Sequence, residues 1–436
     1  MESTHAAPPV ASGRDPALGH LAHLQSAPLP FLRSLRDQGD VVTVYFGAEP
    51  VHVVTQPRLV EDLLVGRHGS INRDVFAAAT AQLVGRSVAV ISGAAHHGRR
   101  QLMAPHFQRT RIGHYVEQMA RIARARIEGW RDGDVLELDN ELFELSLATS
   151  AACLFGTELA QDTIKETHRQ LMLALGEVEE GTADRATGGT AEVRRIIADV
   201  VARRRAERTD RGDLMSAFLF SPDPDGAMLT DEQVVDEVIG LLMAGVDTPA
   251  VTLSWIFHEL SGHPDVERRV REEVDAVVGD GPVTAEHVRS LDYVHQVIQE
   301  TLRRYGAYLL VSQADADLDL AGAHVPAGGT VAISLYALHY DDRSFADPDR
   351  FDPHRWSPER VESIERGRHI PFSTGKRKCP GDLFALTELA VQLATVVSRV
   401  RLVPASPEPV RPVIRGVVVR PDALSMTVRT RQPTES

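Results

Sequence analysis

A lone cysteine set in a turn of glycines and cations constrains this chain more than any other feature. In the segment Pro371-Phe-Ser-Thr-Gly-Lys-Arg-Lys-Cys379-Pro-Gly381, three consecutive cations precede Cys379, and a helix is predicted to begin near Pro380. A helix N-terminus presents unpaired N–H groups and the positive end of the peptide dipoles, and nearby cations add to the same field. Both favour a thiolate, so Cys379 is placed to act as a nucleophile or as a metal ligand. The other cysteine, Cys153, lies in an apolar run and reads as a small buried apolar residue. Two cysteines in such different settings argue against a disulfide framework, and the count excludes a cysteine-rich zinc or iron–sulfur site.

The rest of the chain is predicted to be mainly helical with small β-sheets. Residues 41–47 and 51–55 are rich in β-branched side chains around a short turn and predict a hairpin. Helical periodicity then dominates 60–64, 112–130, 192–208 and a long run over 231–260. After residue 310 the pattern changes to short strands such as 329–335, then a stretch rich in Pro and Asp over 341–371. Residues 1–25 read as a loose polar arm and 26–430 as a single catalytic domain. The arginines at 194, 195, 203, 204, 205 and 208 alternate with Glu192, Asp199 and Glu207, which predicts a solvated helix face rather than a basic patch.

A net charge of −14 opposes nucleic-acid and anionic-membrane binding. No secretory leader is evident at the N-terminus, and no run approaching the ~18 apolar residues of a membrane span was expected, so the reading is cytoplasmic.

Three further groupings carry chemistry. His96 and Arg100 are spaced i,i+4 and can present two donors to an anion, with His97 and Arg99 as adjacent alternatives. Glu300 and Arg303 are spaced i,i+3 on one helical face. The long helical run contains Ala244-Gly-Val-Asp247-Thr248-Pro249, where Pro249 removes the N–H that would bond the Gly245 carbonyl. A local opening or kink is predicted there, with an acid and a hydroxyl beside it able to hold water.

Phe372, Gly375, Arg377, Cys379 and Gly381 reproduce the Phe-x-x-Gly-x-Arg-x-Cys-x-Gly pattern, and in this the chain resembles the cytochrome P450 family. The resemblance implies a haem b held between the long helix and the cysteine loop, with Cys379 as the iron ligand and dioxygen as co-substrate. It implies that Phe372 packs near the sulfur, that Gly375 and Gly381 shape the loop, and that Arg377, His96 and Arg100 meet haem propionates. Ala244 and Gly245 would then lie along the cofactor, with Thr248 and Asp247 delivering protons. Glu300 and Arg303 resemble the family's Glu-x-x-Arg motif, and residues 351–356 resemble the segment that adds Arg355 to form a buried ionic network. The chain departs from the pattern after Arg304, where the usual proline is missing and Ser312 or Gln313 stands in place of a further propionate-binding arginine.

Leu241, Leu242, Leu309 and Leu310 are expected to line a pocket for a small lipophilic substrate, by resemblance a terpenoid, with a polyketide or macrolide as the alternative. Electrons would come from a separate ferredoxin and its reductase, docking near Lys376, Arg377 and Lys378. Oxidative ring formation or peroxide-driven chemistry could use the same haem, and the non-enzyme alternative is a haem protein that only binds ligands. A zinc hydrolase at His258 and His263 is excluded, because the spacing is five and Gly262 with Pro264 ends the helix.

Overall fold

A computed structural model describes residues 7–431 apart from 68, 73, 158, 159, 224, 225, 365 and 366. The chain divides into two compact units. The smaller comprises residues 1–78, 302–379 and 417–419, and the larger 79–301, 380–416 and 420–436.

The smaller unit is built on a five-stranded sheet in the order Val41–Phe46, Glu49–Val54, Thr330–Ser334, Leu309–Ala314, Ile71–Asn72. The predicted hairpin pairs Val41 with Val54 and Phe46 with Glu49. Its second strand runs parallel to Thr330–Ser334, while the remaining pairs are antiparallel. Alternate side chains feed two apolar clusters, one around Val54, Leu63 and Ile333 and the other around Leu35, Val42 and Ala332. Residues 7–25 do not form the loose arm expected of them. The Ala11 amide donates to the Thr43 carbonyl at 2.9 Å, and fully buried His20 packs beside Phe31. Residues 1–6 lie outside the described residues.

The larger unit is helical, with a three-stranded sheet of Val135–Glu137, Ser425–Thr430 and Val400–Pro404. Its centre is the helix Asp231–Gly262. Thr230 and Gln233 cap it reciprocally, at 3.2 and 2.9 Å, and Asp231 and Glu232 meet the positive end of its dipole. Among the described residues it is the one helix long and apolar enough to cross a membrane, yet 72% of its apolar window is buried in the protein. It packs along Leu138–Phe155, itself buried on nearly every face.

The arginine-rich helix Gly188–Glu207 is only in part the solvated face that was predicted. Arg195 bridges Glu192 and Asp199 in solvent, but Arg204 is buried and clamps Asp213 at 2.8 and 2.9 Å. Arg194 reaches Asp236 at 2.8 Å. Interleaved charges give no sign of which arginines turn inward.

Candidate functional site

In the smaller unit the cysteine loop is fixed by its own backbone. The Cys379 amide donates to the Phe372 carbonyl at 2.9 Å, and the Lys378 amide to the Gly375 carbonyl at 3.1 Å. Gly375 is required twice over: its φ is +69°, and a Cβ there would overlap the Leu64 carbonyl. Phe372 and Arg377 are half-buried, while Lys376, Lys378 and Cys379 are exposed. The helix expected near Pro380 starts at Asp382, with Gly381 preceding it as the cap residue. Cys153 is buried, which pushes its thiol pKa up and leaves it inert.

Arg303 and Arg355 are both buried in this unit. Arg303 donates to the carbonyls of His339 and Pro348, each at 2.8 Å, and Arg355 to those of Ala346 and Asp347, at 2.6 and 3.1 Å. The guanidiniums thus staple the irregular stretch 339–348 through its backbone. Leu309 and Leu310, expected at the substrate, are half-buried in their strand and pack against the two apolar clusters. Ser312 is buried, and Gln313 donates to the Gly328 carbonyl at 3.0 Å.

The larger unit contributes the long helix. The helix continues through Pro249. The Gly245 carbonyl, deprived of its helical donor, accepts instead from the buried Ser150 hydroxyl at 3.2 Å. Around this point the otherwise buried helix has accessible residues: Ala244 is exposed and Gly245, Asp247 and Thr248 are partly so. The Thr248 hydroxyl donates to the Ala244 carbonyl at 2.7 Å. Its proton is therefore engaged, and its lone pairs remain to accept a hydrogen bond. The Asp247 carboxylate is held by Arg420 at 2.5 Å, with side chains only 13% and 16% exposed.

Leu241 lies seven residues before Thr248, so the two share a helix face. Leu242 does not; it lines a separate cavity among the neighbouring helices. His96 and Arg100 are half-buried on the helix Gly93–Met103, as the spacing predicted. The adjacent alternatives are otherwise engaged: Arg99 is buried against Glu237 at 3.0 Å, and His97 bonds Gln101. Burial raises the Glu237 carboxyl to about 7 although Arg99 opposes the shift. Glu300 is fully buried in this unit.

Haem and these residues fit one another. One exposed sulfur stands on a backbone-fixed loop, and no cluster of three His, Cys, Asp or Glu side chains able to hold a bare metal ion occurs among the described residues. An iron bound here needs a macrocycle to supply its other ligands.

The sequence profile of the Cytochrome P450 family matches residues 8–428. The chain belongs to the cytochrome P450 family. Membership makes it a monooxygenase, an oxidoreductase working with a haem-thiolate cofactor and dioxygen, and it is mainly helical as that fold requires. It is 36% identical to a cyclooctat-9-en-7-ol 5-monooxygenase of Streptomyces melanosporofaciens, over 90% of this P450 and 89% of the relative. It is 34% identical to a pentalenene oxygenase of Streptomyces avermitilis, over 97% of both chains. Among solved structures, the haem domain of cytochrome P450DA matches with a TM-score of 0.89 at 25% identity, over 99% of this chain and 98% of that one.

Arg420 and Ser150 were missed from the sequence. Arg420 stands in the short strand Val418–Pro421, 173 residues from its partner and outside any motif. Ser150 is one hydroxyl among several in an apolar helix. The missing helical donor at Pro249 was its only signal, and that signal pointed to a need without naming the donor.

Proposed function

We propose that this P450 binds haem b through Cys379 and hydroxylates, or otherwise oxidises, a compact lipophilic terpenoid, drawing electrons from a separate ferredoxin and its reductase in the cytoplasm. The observation that carries the reading is the open strip on the long helix, where a threonine hydroxyl free to accept and a latched carboxylate stand side by side. A protein that only bound a ligand would need neither. When bound, the haem supplies the two-electron activation of dioxygen.

The chain's own residues do the rest. Cys379 presents the sulfur, with Phe372 beside it and Gly375 and Gly381 shaping the turn. Arg377, His96 and Arg100 supply cations for the propionates, and Ala244 and Gly245 leave the cofactor face unobstructed. Thr248 accepts a hydrogen bond from a water in the groove and holds it in place. Asp247, once its carboxylate is released from Arg420 and reaches solvent, takes up a proton there and hands it to this water as the water gives up one of its own. Glu300 completes the network of Arg303 and Arg355. Leu241 and the exposed Ala244 give the substrate an apolar wall.

Support for a terpenoid comes from the activities of the two Streptomyces relatives, a cyclooctat-9-en-7-ol 5-monooxygenase and a pentalenene oxygenase. The exposed Lys376 and Lys378 suit an acidic electron donor. Titrating the ferric holoenzyme with pentalenene and with a macrolactone tests the substrate class. A spin-state shift with the terpene, and a product one oxygen heavier in the presence of ferredoxin, its reductase and NADPH, is the expected result. A shift with the macrolactone alone would replace the terpenoid reading with the polyketide one.

A further inference from the structure

The helix Gly93–Met103 carries His96 and Arg100, the cations assigned to the haem propionates, so whatever fixes that helix fixes where they point. It is 11 residues long, and residues 92–95 at its start are exposed. Its buried residues are Gly98, Arg99 and Met103. Arg99 and Met103 are spaced i,i+4 on the inward stripe, about 60° around the axis from the stripe of His96 and Arg100. A partner that holds Arg99 therefore sets the direction of the cations beside it.

That partner is Glu237 of the long helix, which is fully buried. Its two oxygens take different donors: Oε1 accepts from Arg99 Nε at 3.0 Å, and Oε2 from the Val88 amide at 2.9 Å. Val88 belongs to the irregular stretch that leads into Gly93–Met103, and the neighbouring Asp236 carboxylate accepts from the Arg86 amide of that stretch at 2.8 Å. One turn of the long helix thus grips both the approach to the short helix and its midpoint. Glu237 also lies seven residues before Ala244 and eleven before Thr248, so the three share a face, with Glu237 about 10 Å along the axis from Ala244. An apolar pair would hold two helices together as well, because desolvation of two charges offsets much of their attraction. What a charge-assisted bond adds is direction.

We propose that Glu237 is a positioning residue for cofactor binding: acting through Arg99, it orients His96 and Arg100 toward the haem propionates and sets their spacing from the strip at Ala244 and Thr248. This role rests on the reading above that His96 and Arg100 meet the propionates.

The test compares the full-length protein carrying haem b with the same protein carrying haem dimethyl ester, whose propionates are esterified and no longer ionic. Transfer of either porphyrin to excess apomyoglobin is followed by absorbance. Glu237→Gln keeps the side-chain volume but turns an amide NH2 toward one of the two donors, so one bond of the pair is lost. It should speed the loss of haem b about tenfold, as expected for one hydrogen bond to a charged group, and leave the loss of the ester as in wild type. Arg100→Gln should show the same selectivity, and the double variant should lose haem b more slowly than the product of the two single effects, because both act on one contact. Faster loss of both porphyrins alike in Glu237→Gln would make the residue a general support of the fold, and unchanged loss of haem b would show that it positions nothing. Either result overturns the proposal while a selective Arg100→Gln leaves the propionate reading standing. Unchanged haem b loss in Arg100→Gln would overturn the propionate reading itself, and the positioning role with it.

Discussion

The two units hold their chemistry by different means. In the smaller one, the cysteine loop is built from backbone hydrogen bonds within a few residues, Cys379 to Phe372 and Lys378 to Gly375, with one glycine where no other residue fits. In the larger, the strip on the long helix depends on side chains from far along the sequence, with Ser150 lying 95 residues from the carbonyl it satisfies and Arg420 lying 173 residues from Asp247. A site fixed by its own turn tolerates little substitution inside the turn. A site fixed by distant side chains can be adjusted one partner at a time.

The sharpest way to break this contrast is inside the loop. Gly375→Val forces a side chain into the Leu64 carbonyl at a positive φ, so most of the purified protein should lose its thiolate-bound haem, as read by the ratio of Soret to protein absorbance. Normal haem content would show that the loop is not set by that glycine.

On the helix, effects should be graded. Asp247→Asn removes the proposed proton donor and should lower turnover about 100-fold while leaving the substrate-induced spin shift in place. Arg420→Gln should change turnover less than Asp247→Asn does, because it frees the carboxylate rather than deleting it. A larger loss in Arg420→Gln would mean that the arginine, not the acid, is the group the reaction needs.

Ser150→Ala sharpens the comparison from the stability side. It leaves the Gly245 carbonyl without its donor and should cost about 1 kcal/mol, measured by denaturant unfolding, with little change in haem content. The smallest effect is one of pH. Burial raises Glu388 to about 8 from an ordinary value of 4.5, with Gln392 donating to it at 2.8 Å. Across that window the folded chain keeps a proton that the unfolded chain has released, so this group's contribution falls as pH rises. Glu388→Gln should therefore gain thermal stability relative to wild type between pH 5 and pH 8, and a gain in the opposite direction would contradict the assignment.

The same contrast explains what could be read from the sequence. The cysteine loop and the hairpin at 41–54 arise from residues close in sequence, and each left a local pattern. The inward turn of Arg204 and Arg194, the Arg99–Glu237 pair, the packed segment 7–25 and the position of Leu242 depend on which partner the fold brings up. Periodicity and spacing carry no record of those partners. Pro249 is the instructive middle case, since the sequence exposed an orphaned carbonyl and only the fold supplied Ser150.

The measurement that tests the central claim most directly is the absorbance spectrum of the dithionite-reduced protein under carbon monoxide, taken beside Cys379→Ser. A strongly red-shifted Soret band in wild type that is lost in the variant is the predicted result, because it requires a thiolate on the iron from this one residue. A haem spectrum indifferent to the substitution would contradict it and move the iron ligand elsewhere in the chain.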